Sequence, residues 1–141
     1  MLSIGPRNVD ELDALTAAGW SVTGVDLFPT HPRIKRGDME RLPFGDGAFD
    51  AIYAAHVLEH AYRLNRAASE IARVVRRRGL VWIAVPRGEE PNAHDRHQFN
   101  VIDDVIRPFR EGGFDPKLID GQAWSREVRV LLRLDAGGVR G

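Results

Sequence analysis

The sequence predicts an α/β domain built on a mostly parallel, seven-stranded sheet with helices on both faces. Three observations lead there. Short apolar segments and amphipathic helical ones follow the order strand, helix, strand, strand, strand, helix, strand, helix, strand, strand. The segment "LVWIAVP" (80–86) is apolar without alternation, as expected of a strand covered on both faces. No linker, repeat or low-complexity block divides the 141 residues, so 1–135 form one domain, followed by a glycine-rich tail, 136–141, read as disordered.

Leu2 to Ile4 make a short buried strand that runs into Gly5. Asn8 is placed to cap a helix, with Glu11 three residues on as in a capping box; Val9, Leu12 and Leu15 then recur at helical spacing until Gly19. "WSVTGVD" (20–26) is the second strand, and the two prolines of "LFPTHPR" make the next segment a loop. "IKRGD" (34–38) is the third strand, "MERLPFGDGA" (39–48) is turn-rich, and "FDAIYAAH" (49–56) is the fourth strand. The clearest helix covers Tyr62 to Arg77, with Leu64, Ala67, Ala68, Ile71, Ala72 and Val75 on one face and Gly79 as its stop. "RRR" (76–78) then reads as a solvated helix end whose cations suit the negative pole of the dipole. After the fifth strand and a polar loop, Val101 to Glu111 is helical, interrupted near Pro108. "DPKLID" (115–120) and "REVRVLLRLD" (126–135) close the sheet.

Composition narrows the partners. Basic and acidic residues number 20 each, so no net field draws in nucleic acid or an anionic membrane. The absence of cysteine excludes disulfides and Cys-ligated zinc. Apolar runs are only a few residues long and no signal peptide is visible, so the expected compartment is the cytoplasm.

In an open parallel sheet the ligand crevice lies beyond the carboxyl end of the first strand. Gly5 stands where the backbone must turn sharply there. Asp26 ends the second strand 21 positions later, a spacing that sets a carboxylate beside a ribose. Asp38 ends the third strand and can accept from an amino group on a base. Arg7 and Val9 occupy the second and third positions of what would be a glycine-rich loop, which argues against a pyrophosphate.

These stretches resemble the class I S-adenosylmethionine-dependent methyltransferases that act on small molecules, with their Rossmann-like fold. The resemblance rests on "LSIGPRN", "VTGVDLF", "GDMERLPFGDGAFDAIYAAHVLEH", "AASEIARVVRRRGLVWIAVP" and "HDRHQFNVIDDVIRPFREGGFD", in the expected order over most of residues 1 to 120. It implies S-adenosyl-L-methionine as cofactor and methyl transfer to a small-molecule acceptor. Residue by residue it implies that Gly5 packs under the methionine and ribose, Asp26 binds the ribose hydroxyls and Leu27 lines the adenine. Asp38 takes the adenine amino group, Met39 lies against the ring, and Ala54, Ala55 and His56 face the sulfonium.

Methyl transfer needs alignment and dryness more than acid–base catalysis, and a base only when the acceptor must lose a proton. His97 is the first candidate for that base, with His60, near the acceptor mouth, and His56 behind it. The family usually has an acid two residues before its first glycine; here that residue is Ser3, whose hydroxyl cannot offer an ammonium group the same charge. The connection from Asp26 to Ile34 is too short for the usual helix, so the adenine site is expected to be open. The family's helices before the first strand are not in this sequence. The expected sources of a lid are a longer chain, a second subunit of a homodimer, or a large acceptor. These departures motivate the rival reading, a methyltransferase-like protein that binds the cofactor or acts as a scaffold without transferring methyl. A second rival, a nicotinamide-dependent oxidoreductase, is disfavoured by Arg7, Val9 and the "LPF…FD…VLEH" block.

Overall fold

The structure, a computed structural model, describes residues 1–88, 96–124 and 126–135; the tail at 136–141 lies outside them. In chain order it contains β1 (Leu2–Ile4), α1 (Val9–Ala17), β2 (Thr23–Asp26), β3 (Ile34–Arg36), β4 (Phe49–Ala55), a 3₁₀ turn (Leu58–His60), α2 (Leu64–Val74) and β5 (Val75–Pro86). α3 (Ile102–Glu111), β6 (Asp115–Ala123) and β7 (Glu127–Asp135) complete it. Among the described residues the strands form one seven-stranded sheet in the order β3-β2-β1-β4-β5-β7-β6. The first five strands run parallel; β7 enters antiparallel between β5 and β6.

Alternation along the strands separates two faces. Leu2, Ile4, Val25, Ile52, Ala54, Val81 and Ile83 join the main core, together with the even-numbered residues of β7 from Val128 to Leu134. α2 meets that face through Ala67, Ala68, Ile71 and Val74, and α3 through Val105, Ile106 and Phe109. Burying a Phe, Ile or Val side chain completely is worth about 1.5–3 kcal/mol, so these two helices are held chiefly by their apolar stripes. The opposite face carries α1, whose buried Leu12 lies over Gly24 outside the main core. Helices therefore do cover both faces, but the second only in part. Tyr53 and Trp82, which point that way, are half-buried, and Trp20 meets Trp82 edge-on at 6.0 Å.

Several boundaries differ from the sequence reading, each for a tertiary reason. β2 starts at Thr23 rather than Trp20, because the ladder begins where Leu2 is available to pair with Thr23. α2 stops at Val74 rather than Arg77: Val75 pairs with Phe49, and Arg78 adopts φ 63° beside a register shift between Phe49 and Ala51. Pairing overrides the helix propensity of three arginines. α3 runs through Pro108 without interruption, and its start is secured by Asp104 Oδ2, which accepts from the amides of Asn100 and Val101.

The loop from Met39 to Phe44 carries no regular element, yet it is fastened to α2 at both ends. Buried Glu40 accepts from the amides of Tyr62 and Arg63, where α2 begins and its dipole is positive. Buried Glu70 accepts from the Leu42 amide at 2.9 Å and from Arg73 Nε at 2.6 Å. Arg73 in turn donates to the carbonyls of Leu42 and Phe44 and to Asp46. Burial alone would raise the Glu70 pKa; the Arg73 side chain, the Leu42 amide and the charges of Arg73 and Arg66 outweigh it and hold the carboxyl below its ordinary value.

Glu70→Ala should cost roughly 3 kcal/mol, because it strands Arg73 and the Leu42 amide, and lower the unfolding temperature by about 10 °C in a thermal melt. Since the folded-state pKa of Glu70 is depressed, its stabilisation is complete above the ordinary value of 4.5 and is lost as pH falls through the lower folded value. Below pH 4.5 the wild-type melting temperature should fall more steeply than that of Glu70→Gln.

Candidate functional site

Register places the candidate residues in a row. Ile4 pairs with Val25 on one side and Ala54 on the other, so Gly5, Asp26 and Ala55 come next at the carboxyl ends of β1, β2 and β4. The Gly5 amide continues the ladder by donating to Val25 O at 2.8 Å, and the Gly37 amide donates to Asp26 O at 2.9 Å. With neighbouring strands about 4.8 Å apart, the row from Asp26 to Ala55 spans about 10 Å. Asp38, read from the sequence as the end of the third strand, stands instead in the loop two residues past β3, because pairing with β2 ends at Arg36.

Gly5 cannot be replaced by a larger residue. Its φ is +64°, and a β-carbon there would lie 2.6 Å from Val57 Cγ2. Asp26 and Asp38 are held alike: Oδ1 of each accepts, at 2.9 Å, from the amide two residues on, Phe28 and Glu40 respectively. Among the described residues the second oxygen of each has no hydrogen-bond partner, so both carboxylates are fixed with an acceptor to spare. Leu27 and Phe28 are 47% and 73% exposed, so this end of the row is as open as the short Asp26–Ile34 connection predicts. Met39 is half-buried against the core.

Ala54, Ala55 and His56 border a hollow of about 690 Å³ on the partly covered face of the sheet. Its floor includes Tyr53, Trp82 and Ala84, and Arg7, Glu11, Glu127 and Arg129 surround it. Gly5, Asp26, Leu27, Asp38 and Met39 do not line it; the row and the hollow adjoin at the end of β4. His56 has φ 55°, an uncommon conformation for a residue with a β-carbon. Its amide donates to Ala84 O at 2.8 Å, and its Nε2 lies 3.7 Å from Glu127 Oε2. Burial first, and then the Glu11 and Glu127 charges, push the Tyr53 phenol above its ordinary pKa against the pull of Arg129.

The other two histidines stand elsewhere. His97 borders a separate groove between α2 and α3; its Nε2 is 2.7 Å from Ala61 O and its amide donates to Glu59 O. His60 is exposed on the 3₁₀ turn and lines neither cavity. Glu11 was missed by the sequence reading, which took it as half of a capping box. Asn8 does cap α1 by accepting from Asp10 N. Glu11 instead reaches toward the hollow, taking the Ser3 hydroxyl on Oε1 at 3.2 Å and the Arg7 amide on Oε2 at 3.4 Å. A serine where an acid was expected, with a glutamate on the following helix, was the available signal.

Comparison with known proteins gives the family. Residues 2–83 match the family described as "Methyltransferase domain". The chain belongs to that family. A sterol 24-C-methyltransferase from Yarrowia lipolytica (strain CLIB 122 / E 150) is 29% identical over 106 residues, a match covering 72% of this chain and 25% of the relative. The chain thus spans about a quarter of the length of that curated relative. Among solved structures, a 1,6-didemethyltoxoflavin-N1-methyltransferase of Burkholderia thailandensis, bound to its didemethyltoxoflavin and S-adenosylhomocysteine, superposes with a TM-score of 0.76 at 18% identity, covering 95% of this chain and 70% of that one. A methyltransferase from Aquifex aeolicus gives 0.70 at 14% identity over 93% and 79%. The [4+2]-cyclase SpnF gives 0.75 at 16% identity over 96% and 75%. Among the described residues no helix is long and apolar enough to cross a membrane.

The cofactor of this family is S-adenosyl-L-methionine, and the residues present fit it. Two pinned carboxylates at neighbouring positions of the row keep an acceptor each for hydroxyl and amino donors.

Gly5→Ala should destabilise the fold by both clash and backbone strain. Adding Val57→Ala should relieve most of the clash and leave the double variant about 1–2 kcal/mol less stable than Val57→Ala alone, the cost of the left-handed φ, measured by denaturant unfolding. Full recovery of the double variant to the Val57→Ala level would mean that the turn carries no strain.

Proposed function

We propose that this protein transfers a methyl group from S-adenosyl-L-methionine to a small-molecule acceptor, which the same reading places in the cytoplasm without a nucleic-acid partner. The observation that carries the proposal is the convergence of the Gly5 turn and the Asp26 and Asp38 carboxylates along one row of strand ends. When bound, the cofactor supplies a methyl group already activated on a sulfonium. The chain's own residues hold and orient it. Asp26 accepts from the two ribose hydroxyls; Asp38 accepts from the adenine amino group, with Leu27 and Met39 against the ring. Gly5 lies beneath the ribose and methionine, and Ala54, Ala55 and His56 stand at the reacting end. The name of the Yarrowia lipolytica relative, a sterol methyltransferase, is in keeping with a small-molecule acceptor.

Where the acceptor must lose a proton, His56 is the histidine best placed to take it. His56 borders the hollow beside Ala55, whereas the His97 ring is engaged with the Ala61 carbonyl in another groove. Glu127 Oε2 stands 3.7 Å from His56 Nε2 on the same side of the hollow. One observation favours the rival reading: the similar structure of SpnF is named a cyclase, so this architecture also serves a reaction other than methyl transfer.

Asp26→Ala should weaken S-adenosylhomocysteine on the order of a hundredfold in isothermal titration, the equivalent of losing about 3 kcal/mol of charge-assisted hydrogen bonding. Unchanged affinity would remove the ribose from β2. Incubation of the wild type with S-adenosylmethionine and a panel of small hydroxyl, amine and thiol acceptors should release S-adenosylhomocysteine. Tight cofactor binding without turnover on any of them would favour the rival.

A further inference from the structure

We infer that Glu11, steered by Ser3, is the carboxylate that receives the α-ammonium group at the amino-acid end of the cofactor. The inference rests on the proposed cofactor site and assigns one half of it to a residue on a helix rather than a strand.

Ser3 is fully buried, and alternation along β1 turns it away from the main core, toward α1. Its hydroxyl donates to Glu11 Oε1 at 3.2 Å, and the Arg7 amide donates to Oε2 at 3.4 Å. These two donors fix the carboxylate without neutralising it. No Lys, Arg or His lies within ion-pair distance of Glu11 among the described residues, whereas Asp13 on the same helix pairs with Arg33 and Glu127 across the hollow pairs with Arg129. Glu11 is half-buried, borders the hollow, and its negative charge is felt across it by the Tyr53 phenol. A partly desolvated carboxylate facing a cavity without a counter-ion is a binding site for a cation.

Position selects which cation. Asp26 lies to one side of Gly5 and the end of β4 to the other, and the hollow begins at that β4 end. A ligand whose ribose meets Asp26 and which crosses Gly5 toward Ala55 brings its non-nucleoside end to the hollow. In S-adenosylmethionine that end is a zwitterionic amino acid. Glu11 matches its ammonium group, and the Arg7 guanidinium at the same rim matches its carboxylate. Ser3 therefore does not leave the site without an acid; it positions one supplied from the first turns of α1.

The test compares two ligands that share the nucleoside and differ at the other end. S-adenosylhomocysteine has the amino acid; 5′-methylthioadenosine lacks it. By isothermal titration Glu11→Gln should weaken S-adenosylhomocysteine at least tenfold and leave 5′-methylthioadenosine within twofold of wild type. Equal weakening of both ligands, or of neither, would overturn the assignment. Failure of the wild type to bind either ligand would instead remove the cofactor site itself. Should Glu11→Gln not fold, wild-type protein labelled with ¹³C at glutamate Cδ gives the same answer. The Glu11 resonance should move on adding S-adenosylhomocysteine and stay in place with 5′-methylthioadenosine; a resonance indifferent to both saturating ligands would overturn the proposal.

Discussion

At the end of β1 the chain turns through a left-handed conformation while lying against the side chain of Val57, and only a residue without a β-carbon meets both demands. Three consequences radiate from Gly5. Its amide extends the ladder to Val25, which fixes where β2 ends and so where Asp26 stands. Its contact with Val57 ties the end of β1 to the segment after β4, which carries His56. The turn also launches α1 at the angle that brings Glu11 back over Ser3. One close approach thus sets both ends of the row.

The second support lies behind the row. The loop that opens the stretch from Gly37 to His60 is held by contacts with α2. Glu40 closes the start of α2, while Glu70 and Arg73 hold the carbonyls and amide of the "LPF" turn. Asp38, at the front of that loop, is in place because the residues after it are anchored in the core. The loop has no helix or strand of its own, and its order comes from side chains on α2.

Sequence periodicity conveyed the order and number of strands because each buried strand shows its apolar residues directly. Gly5 and Asp26 were legible for a similar reason, as a turn glycine and a strand-end acid; Asp38 was legible as an acid but not in its place, since it stands in the loop two residues past β3. Less visible were features that depend on partners distant in sequence. The early end of α2 depends on Phe49 being available to Val75, and the start of β2 depends on Leu2. His97 and His56 look alike in sequence as histidines in or beside loops, yet they border different cavities. Glu11 had a sufficient local explanation as a helix cap, which hid its second direction. The antiparallel entry of β7, which brings Glu127 within reach of His56, likewise has no local signature.

The central claim is that one phosphate-free adenosine lies across the strand ends, bridging Asp26 and Asp38 over Gly5. The most direct measurement is a crystal structure of the protein with S-adenosylhomocysteine. The account predicts the ribose hydroxyls within hydrogen-bond distance of the Asp26 carboxylate and the adenine amino group at Asp38. A nucleoside bound in the hollow over Trp82, or in the groove beside His97, with Asp26 facing only solvent, would contradict it.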